Sequence, residues 1–317
     1  MPHKVISNVT DMTDKGNALL RKADCQVEVC EVQYLSDDEL PQRLKGVDAI
    51  IAAGEPWPER AIEAAGPIKI LARCGVGYDE IDIAAAAKRG IWVTNTPDAT
   101  SNAVSDWTIA LMLELLRSVH VTIADMKAKV WNPIEGCELA SLTVGIIGVG
   151  AIGRQVIKRL HGFGAKVLAC DIVQDQIFAD RYEFKYVSLE QLLTESDVLS
   201  IHCPLNEHTR GILNEQSFRL MKSTAYLVNT ARPGIADEQD LVKAIKEHQI
   251  AGAAIDVHDP KPARPEDPLL NLDNVITTPW NAYNSTASNE KMRTGAAQEV
   301  VTVLQGGTPR NPVNQPQ

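Results

Sequence analysis

The sequence predicts an α/β protein made of two doubly wound parallel-sheet domains, and three observations predict it. Short apolar runs of strand character alternate with helix-like runs from the N-terminus onward, the pattern that parallel sheets with crossover helices require. Near the middle of the chain Val144-Gly145-Ile146-Ile147-Gly148-Val149-Gly150-Ala151-Ile152-Gly153 joins a strand to a helix through G-x-G-x-x-G, and Lys166-Val167-Leu168-Ala169-Cys170-Asp171 follows as a second strand ending in an acid. A last helical run, Ser285 to Leu304, is left over once that unit is complete. Together these place a dinucleotide-binding Rossmann domain at 99–284, inserted into a flavodoxin-like substrate domain formed by 1–98 and 285–317.

In the first domain Lys4-Val5-Ile6, Val27 to Val32, Asp48 to Ala53 and Ile68 to Arg73 read as strands, with helices over Asp37 to Lys45 and Pro58 to Ala65 between them. Ile91-Trp92-Val93-Thr94 closes the unit, and a helix over Asn102 to Arg117 leads to the glycine motif. Beyond Asp171, strands are expected at Val198 to His202, Ala225 to Asn229, Gly252 to Ile255 and Val275 to Thr278. The tail, Gly306 to Gln317, is rich in Pro, Gly and Asn and is expected to run loosely over the surface.

The glycine motif names a cofactor. Gly148 permits the tight turn out of the strand, Gly150 lets a pyrophosphate approach the backbone, and Gly153 lets the helix pack close to the sheet. Free N–H groups at Ala151 and Ile152 and the helix dipole favour the phosphate charge. Asp171 stands where an acid accepts the adenosine ribose hydroxyls and repels a 2′-phosphate, and Ile172 and Val173 supply no cation to hold one, so NAD is expected rather than NADP.

Composition narrows the remaining classes. The formal net charge is −10, and no basic run interleaved with aromatics is present, so nucleic acid is not an expected partner. The cysteines, Cys25, Cys30, Cys74, Cys137, Cys170 and Cys203, form neither a C-x-x-C pair nor a zinc-like cluster, as expected in a reducing cytoplasm. No signal-peptide pattern or membrane-length apolar run is apparent in the sequence, so no membrane partner is expected.

Several separated motifs, in order, resemble the D-isomer-specific 2-hydroxyacid dehydrogenase family over nearly the whole chain. Ala72-Arg73-Cys74-Gly75-Val76-Gly77-Tyr78-Asp79 is similar to its substrate loop, Val228-Asn229-Thr230-Ala231-Arg232 to its arginine motif, and Gly252-Ala253-Ala254-Ile255-Asp256-Val257 to its late strand. His202-Cys203-Pro204-Leu205-Asn206-Glu207-His208, Asp256-Val257-His258 and the ending Pro309 to Asn314 resemble the branch that contains the C-terminal-binding-protein corepressors. The resemblance implies NAD-dependent oxidation of a 2-hydroxy acid or reduction of a 2-keto acid. It implies cofactor contacts from Cys203, Pro204, Thr230, Ala231, Arg232 and Asp256, substrate contacts from Gly75, Val76, Gly77, Arg232 and Trp280, and a homodimer formed through the NAD domain. In the family an arginine holds the carboxylate and carbonyl oxygens, a histidine exchanges the proton, and a glutamate raises the histidine pKa.

Only the arginine is matched, by Arg232. The glutamate position is Lys261 and the histidine position, directly after Thr278-Pro279, is Trp280; Pro233 follows Arg232 where the family usually has glycine and biases Arg232 toward an extended conformation. An indole only donates a hydrogen bond and cannot act as acid or base. Trp280 either packs its face against the nicotinamide or an apolar substrate, or fills the space of the lost histidine. Lys261 acts as a base only when neutral; otherwise it is a solvated lysine in a proline-rich loop. His258 is the remaining candidate acid/base, and His202 reads as structural or cofactor-side. Two functions follow: an NAD-dependent oxidoreductase for a small anionic, carboxylate-bearing substrate with an atypical acid/base pair, or an NAD(H)-binding regulatory or scaffold protein without turnover.

Overall fold

In a computed structural model that describes residues 2–36, 38–66 and 68–317, every ladder between named strands is parallel. The chain divides into two units, Met1–Thr100 with Asn284–Gln317, and Ser101–Tyr283.

The first unit runs β1 (His3–Ser7), α1 (Asp14–Lys22), β2 (Cys25–Val29), α2 (Glu39–Arg43), β3 (Ala49–Ala52), α3 (Glu59–Ala64), β4 (Ile70–Arg73), α4 (Ile83–Lys88) and β5 (Trp92–Thr94). Its sheet order is β2-β1-β3-β4-β5, the flavodoxin-like winding. The central strand β3, Ala-Ile-Ile-Ala, is buried throughout because helices cover both faces. Asp37, where the helical reading of 37–45 begins, lies outside the described residues. The strand expected over Val27 to Val32 forms earlier, at Cys25–Val29, because Val32 instead enters a short 3-10 turn and buries against Ile6 and Ile50.

The second unit runs α5 (Ser101–Arg117), α6 (Val119–Lys127), β6 (Thr143–Ile147), α7 (Ala151–Phe163), β7 (Lys166–Cys170), α8 (Gln176–Arg181), β8 (Lys185–Tyr186), α9 (Leu189–Glu195), β9 (Val198–Ile201), α10 (Glu215–Leu220), β10 (Tyr226–Asn229), α11 (Glu238–Lys246), β11 (Gly252–Ile255) and β12 (Val275–Thr277). Its sheet order is β12-β11-β10-β9-β6-β7-β8, the Rossmann order with one further strand. One hydrophobic cluster packs Met112, Val156, Ile157 and Leu160 of α5 and α7 on one face, and a second packs Leu192, Phe218, Leu241 and Ile245 on the other. Helix α12 (Thr286–Leu304) returns to the first unit, where Ala296, Ala297 and Val300 are buried with residues of β1, β3 and β4.

The C-terminal tail is not loose, contrary to the sequence expectation. Asn314 accepts the Val93 N–H at 2.8 Å and donates its amide to the carbonyls of Ile91 (3.0 Å) and Ile83 (3.4 Å). Val313 N–H bonds Val93 O and Gln317 N–H bonds Ala87 O. The side chain of Asn314 thus imitates a backbone strand along the open edge of β5, and an Asn-rich ending, which reads as solvated, instead satisfies edge groups that water would otherwise serve.

Candidate active site

Strand register brings the candidate residues of the second unit to one edge of its sheet. Cys170 pairs with Ile147, Ile147 with Ile201, Ile201 with Asn229, Asn229 with Ile255, and Ile255 with Thr277. The residues that follow these laterally aligned strand ends are Asp171, Gly148, His202, Thr230, Asp256 and Thr278. Ligands of doubly wound sheets bind at this carboxyl edge, where strand order reverses, here between β6 and β9.

The glycine loop fits the pyrophosphate of a dinucleotide. Gly148 has φ +93°, and a Cβ there would stand 2.6 Å from the Cys203 nitrogen. A Cβ on Gly153 would overlap the Gly148 carbonyl, so α7 sits as close to the loop as backbone allows. At Gly150 a Cβ would meet no protein atom within 4 Å, and this residue is the N-cap of α7 with no side-chain capping bond. Open space in front of an uncapped helix N-terminus, where Ala151 and Ile152 begin the helix, suits an anion. Asp171 accepts Val149 N–H at 2.5 Å through one oxygen and Val173 N–H at 2.8 Å through the other. It therefore fixes the loop, and a carboxylate retains acceptor sites after two bonds.

On the next strand ends, His202 bonds Ser200 Oγ through Nε2 at 2.9 Å, and burial pushes its pKa down to about 3, so the imidazole is neutral. Burial raises the neighbouring Cys203 thiol to about 11, which leaves it an unreactive thiol ahead of Pro204. Asn229 clasps the arginine loop: its Oδ1 accepts Ala231 N–H at 3.0 Å and its Nδ2 donates to Arg232 O at 2.9 Å. Thr230 is buried and shares a 3.0 Å hydrogen bond with Thr108 of α5. The Arg232 guanidinium, half-buried, donates to Ala231 O at 2.8 Å. Asn229 lies inside the arginine motif, while nothing in the local sequence marks Thr108.

Asp256 is buried, and burial first of all raises its carboxyl pKa. It accepts Thr278 Oγ–H at 2.5 Å, Asn281 N–H at 2.8 Å and Ala282 N–H at 2.9 Å. These bonds fix the backbone around Trp280, which has φ +55°, a conformation costing about 1 kcal/mol or more for a residue with a Cβ. His258, the candidate acid/base left by the sequence, is committed elsewhere: Nε2 bonds the Thr278 carbonyl at 3.0 Å, Nδ1 lies 3.8 Å from Asp267, and the side chain is 8 % exposed. It braces the same loop rather than presenting a nitrogen to a substrate.

Lys261 and Trp280, separate candidates in the sequence, meet. Lys261 Nζ stands 5.1 Å from the Trp280 ring centroid, a cation–π contact. Lys261 is exposed and Trp280 half-buried. In the first unit the Gly75-Val76-Gly77 loop follows β4 and is held by Thr96 N–H on Gly75 O at 2.9 Å and Asn95 Nδ2 on Val76 O at 2.7 Å. Beside the adjoining strand end, Glu55 is 7 % exposed; it accepts Ala53 N–H at 2.9 Å and Trp57 Nε1–H at 2.8 Å, and burial raises its pKa. Nothing in the local sequence marks this buried acid. Among the described residues no group of His, Cys, Asp and Glu could hold a metal ion.

Residues 109–282 match the family model described as D-isomer specific 2-hydroxyacid dehydrogenase, NAD binding domain. The chain is 39 % identical to a glyoxylate reductase of Korarchaeum cryptofilum (strain OPF8), over 86 % of this chain and 85 % of that protein. It is 36 % identical to a glyoxylate reductase of Thermofilum pendens (strain DSM 2475 / Hrk 5), over 96 % and 93 % of the two chains. The crystal structure of the TT0316 protein from Thermus thermophilus superposes with a TM-score of 0.89 at 34 % identity, covering 98 % of this chain and 99 % of that one.

Proposed function

The chain belongs to the D-isomer specific 2-hydroxyacid dehydrogenase family, and from that premise we propose that it is an NAD-dependent oxidoreductase for small carboxylate-bearing substrates, with Lys261 and Trp280 standing where the family's glutamate and histidine are expected. The observation that carries the reading is the shared sheet edge: an open glycine loop, an arginine on a clasped loop and a lysine over an indole all follow strand ends in register. Gly148, Gly150, Ala151, Ile152, Gly153 and Asp171 would hold the pyrophosphate and ribose, with Cys203, Pro204, Thr230, Ala231 and Asp256 on the nicotinamide side. When bound, NAD(H) supplies or accepts the hydride.

Arg232 would bind the substrate carboxylate through its planar fork. Two cations, Arg232 and Lys261, favour an anion and polarise a carbonyl. With His258 held by the Thr278 carbonyl and His202 kept neutral by burial, proton exchange falls to Lys261 or to water. Glyoxylate, the substrate in the relatives' names, is the first compound to test. In a panel of keto acids, aldehydes and imines with NADH, the expected outcome is substrate-dependent NADH oxidation by at least one 2-oxo acid. Tight NADH binding with no turnover of any compound would support a scaffold instead.

The partner we propose is a second copy, docked through the NAD domain. Helix α6 has no buried residue, and it and the segment after it expose Val121, Ile123, Met126, Val130 and Trp131, the last 83 % exposed; a continuous apolar patch of this kind marks an interface. All six cysteines are free thiols, which fits the reducing cytoplasm proposed as its location.

A further inference from the structure

We propose that the Arg154–Asp175 pair is a second determinant of dinucleotide selectivity: Arg154 is a cation placed for a 2′-phosphate, and Asp175 withholds it, so that Asp171 and Asp175 set discrimination against NADP jointly. The inference rests on the nucleotide site of the reading above and adds to it residues that choose between the two dinucleotides.

Asp171 and Arg154 meet at one residue of the glycine loop. Val149 donates its N–H to Asp171 Oδ2 at 2.5 Å, and its carbonyl accepts Arg154 Nε–H at 3.2 Å. Arg154 lies in the first turn of α7, where its own N–H bonds Gly150 O at 3.0 Å, and a long helical side chain leans back over the turn before it. The guanidinium therefore stands over the loop that Asp171 grips by the opposite side of Val149. Its Nη1 is taken by Asp175 Oδ2 at 2.8 Å, and its Cζ lies 4.5 Å from the Phe178 ring centroid. The two side chains are 35 % and 37 % exposed, so the pair is open to a ligand.

Asp175 is itself fixed. Its Oδ1 caps α8 by accepting Phe178 N–H at 3.0 Å, and its N–H donates to the Tyr186 hydroxyl at 3.2 Å. The Phe178 N–H first, and then Arg154, hold its carboxyl below the usual carboxylate range, so the charge that neutralises Arg154 persists. The surrounding loop offers no substitute cation. Residues 172–180 contain no Lys or Arg, and Arg181 lies over the Tyr182 ring at 5.5 Å. Lys185 pairs with Leu168, two positions before β7 ends at Cys170. Exposed Ile172, Val173 and Ile177 fill the loop instead.

The two acids act on a 2′-phosphate in different ways. Asp171 repels it, and Asp175 removes its counter-ion. Loss of Asp171 alone leaves Arg154 paired with Asp175. Loss of the Asp175 charge alone frees a guanidinium that would turn to Asp171, its neighbour across Val149. Only loss of both leaves a planar fork of N–H donors for a phosphate. Residues that act through one shared partner are not additive, so the double substitution should favour NADP by more than the two single effects combined. Asparagine caps a helix as well as aspartate does, so Asp175→Asn removes the charge and keeps the start of α8.

Fluorescence titration of the full chain with NADH and with NADPH tests this, read as the ratio of the two affinities and without turnover. Asp171→Ser should shift the ratio toward NADPH by about tenfold, the relief of one like-charge contact. Asp175→Asn should shift it by less than about threefold, as for an exposed ion pair. The double variant should exceed the product of those shifts by about tenfold or more, the worth of a charge-assisted hydrogen bond. Arg154→Met added to the double variant should return the ratio to within about threefold of Asp171→Ser, because the cation is then gone. Asp175→Ser, which also caps, carries the same expectation if the asparagine variant does not fold. A double variant equal to the product of the single shifts, a gain that survives Arg154→Met, or an equal weakening of both dinucleotides with the ratio unchanged would each overturn the inference while leaving the nucleotide site intact. Failure of wild type to bind NADH would overturn both.

Discussion

At Gly150 the backbone has φ −76° and ψ −160° and a Cβ would meet no protein atom within 4 Å, so alanine is sterically compatible with the protein alone but intrudes where a pyrophosphate must lie. Gly150→Ala should leave the melting temperature within about 2 °C of wild type and weaken NADH binding by at least about tenfold by fluorescence titration; unchanged binding would remove the loop from the cofactor site. Gly153→Ala, whose Cβ overlaps the Gly148 carbonyl, should by contrast lose stability as well. At this scale the sequence was informative about identity and silent about partnership. The glycines, Asp171 and Arg232 are legible because each depends on a local spacing. The meeting of Lys261 with Trp280 is not, because it depends on the loop after β11 folding back to the end of β12, and neither the Asp256 bonds nor the left-handed backbone of Trp280 leaves a mark in sequence spacing.

At the scale of elements, β-strands read well because a parallel strand covered on both faces is a short continuous apolar run. Short helices of the second unit are not legible in the sequence, although most carry a capping residue: Ser188 accepts Gln191 N–H, Asn214 accepts Gln216 and Ser217 N–H, and Asp237 accepts Asp240 N–H. Each supplies about 1 kcal/mol, and helices of six to nine residues present too few turns for their periodicity to stand out. The β8 strand has two residues and is shorter still than a pattern. The tail was misread because its stabilising unit is one side chain. Asn314→Ala removes three hydrogen bonds to backbone near β5 and leaves buried edge groups unsatisfied, which should cost roughly 1–3 kcal/mol. Chemical denaturation followed by circular dichroism should show that loss; a change below about 0.3 kcal/mol would mean the tail contributes nothing to the fold.

For the whole molecule, two doubly wound parallel-sheet domains are legible from the alternation of strands and helices, the glycine motif and the last helix left over, and no single helix among the described residues is long and apolar enough to cross a membrane. The exposed row on and after α6 is not legible in the sequence, whereas most apolar residues of α5 are buried in the NAD domain. If a second copy covers that row, Ile123→Glu with Trp131→Glu should convert a dimer to a monomer in analytical ultracentrifugation without loss of helical signal, whereas a wild type that sediments as a monomer would refute the proposed interface. The glycine loop and the roles proposed for Arg232, Lys261 and Trp280 stand or fall together on whether the chain turns over rather than merely binds. The most direct measurement is steady-state NADH oxidation with glyoxylate and larger 2-oxo acids, run on wild type and Arg232→Gln alongside NADH titrations of both. The account predicts 2-hydroxy acid formation by wild type, a loss of about 10²–10³-fold in kcat/KM on removing the charged fork, and NADH binding by both proteins. Equal and tight NADH binding with no hydroxy acid formed by wild type would contradict it.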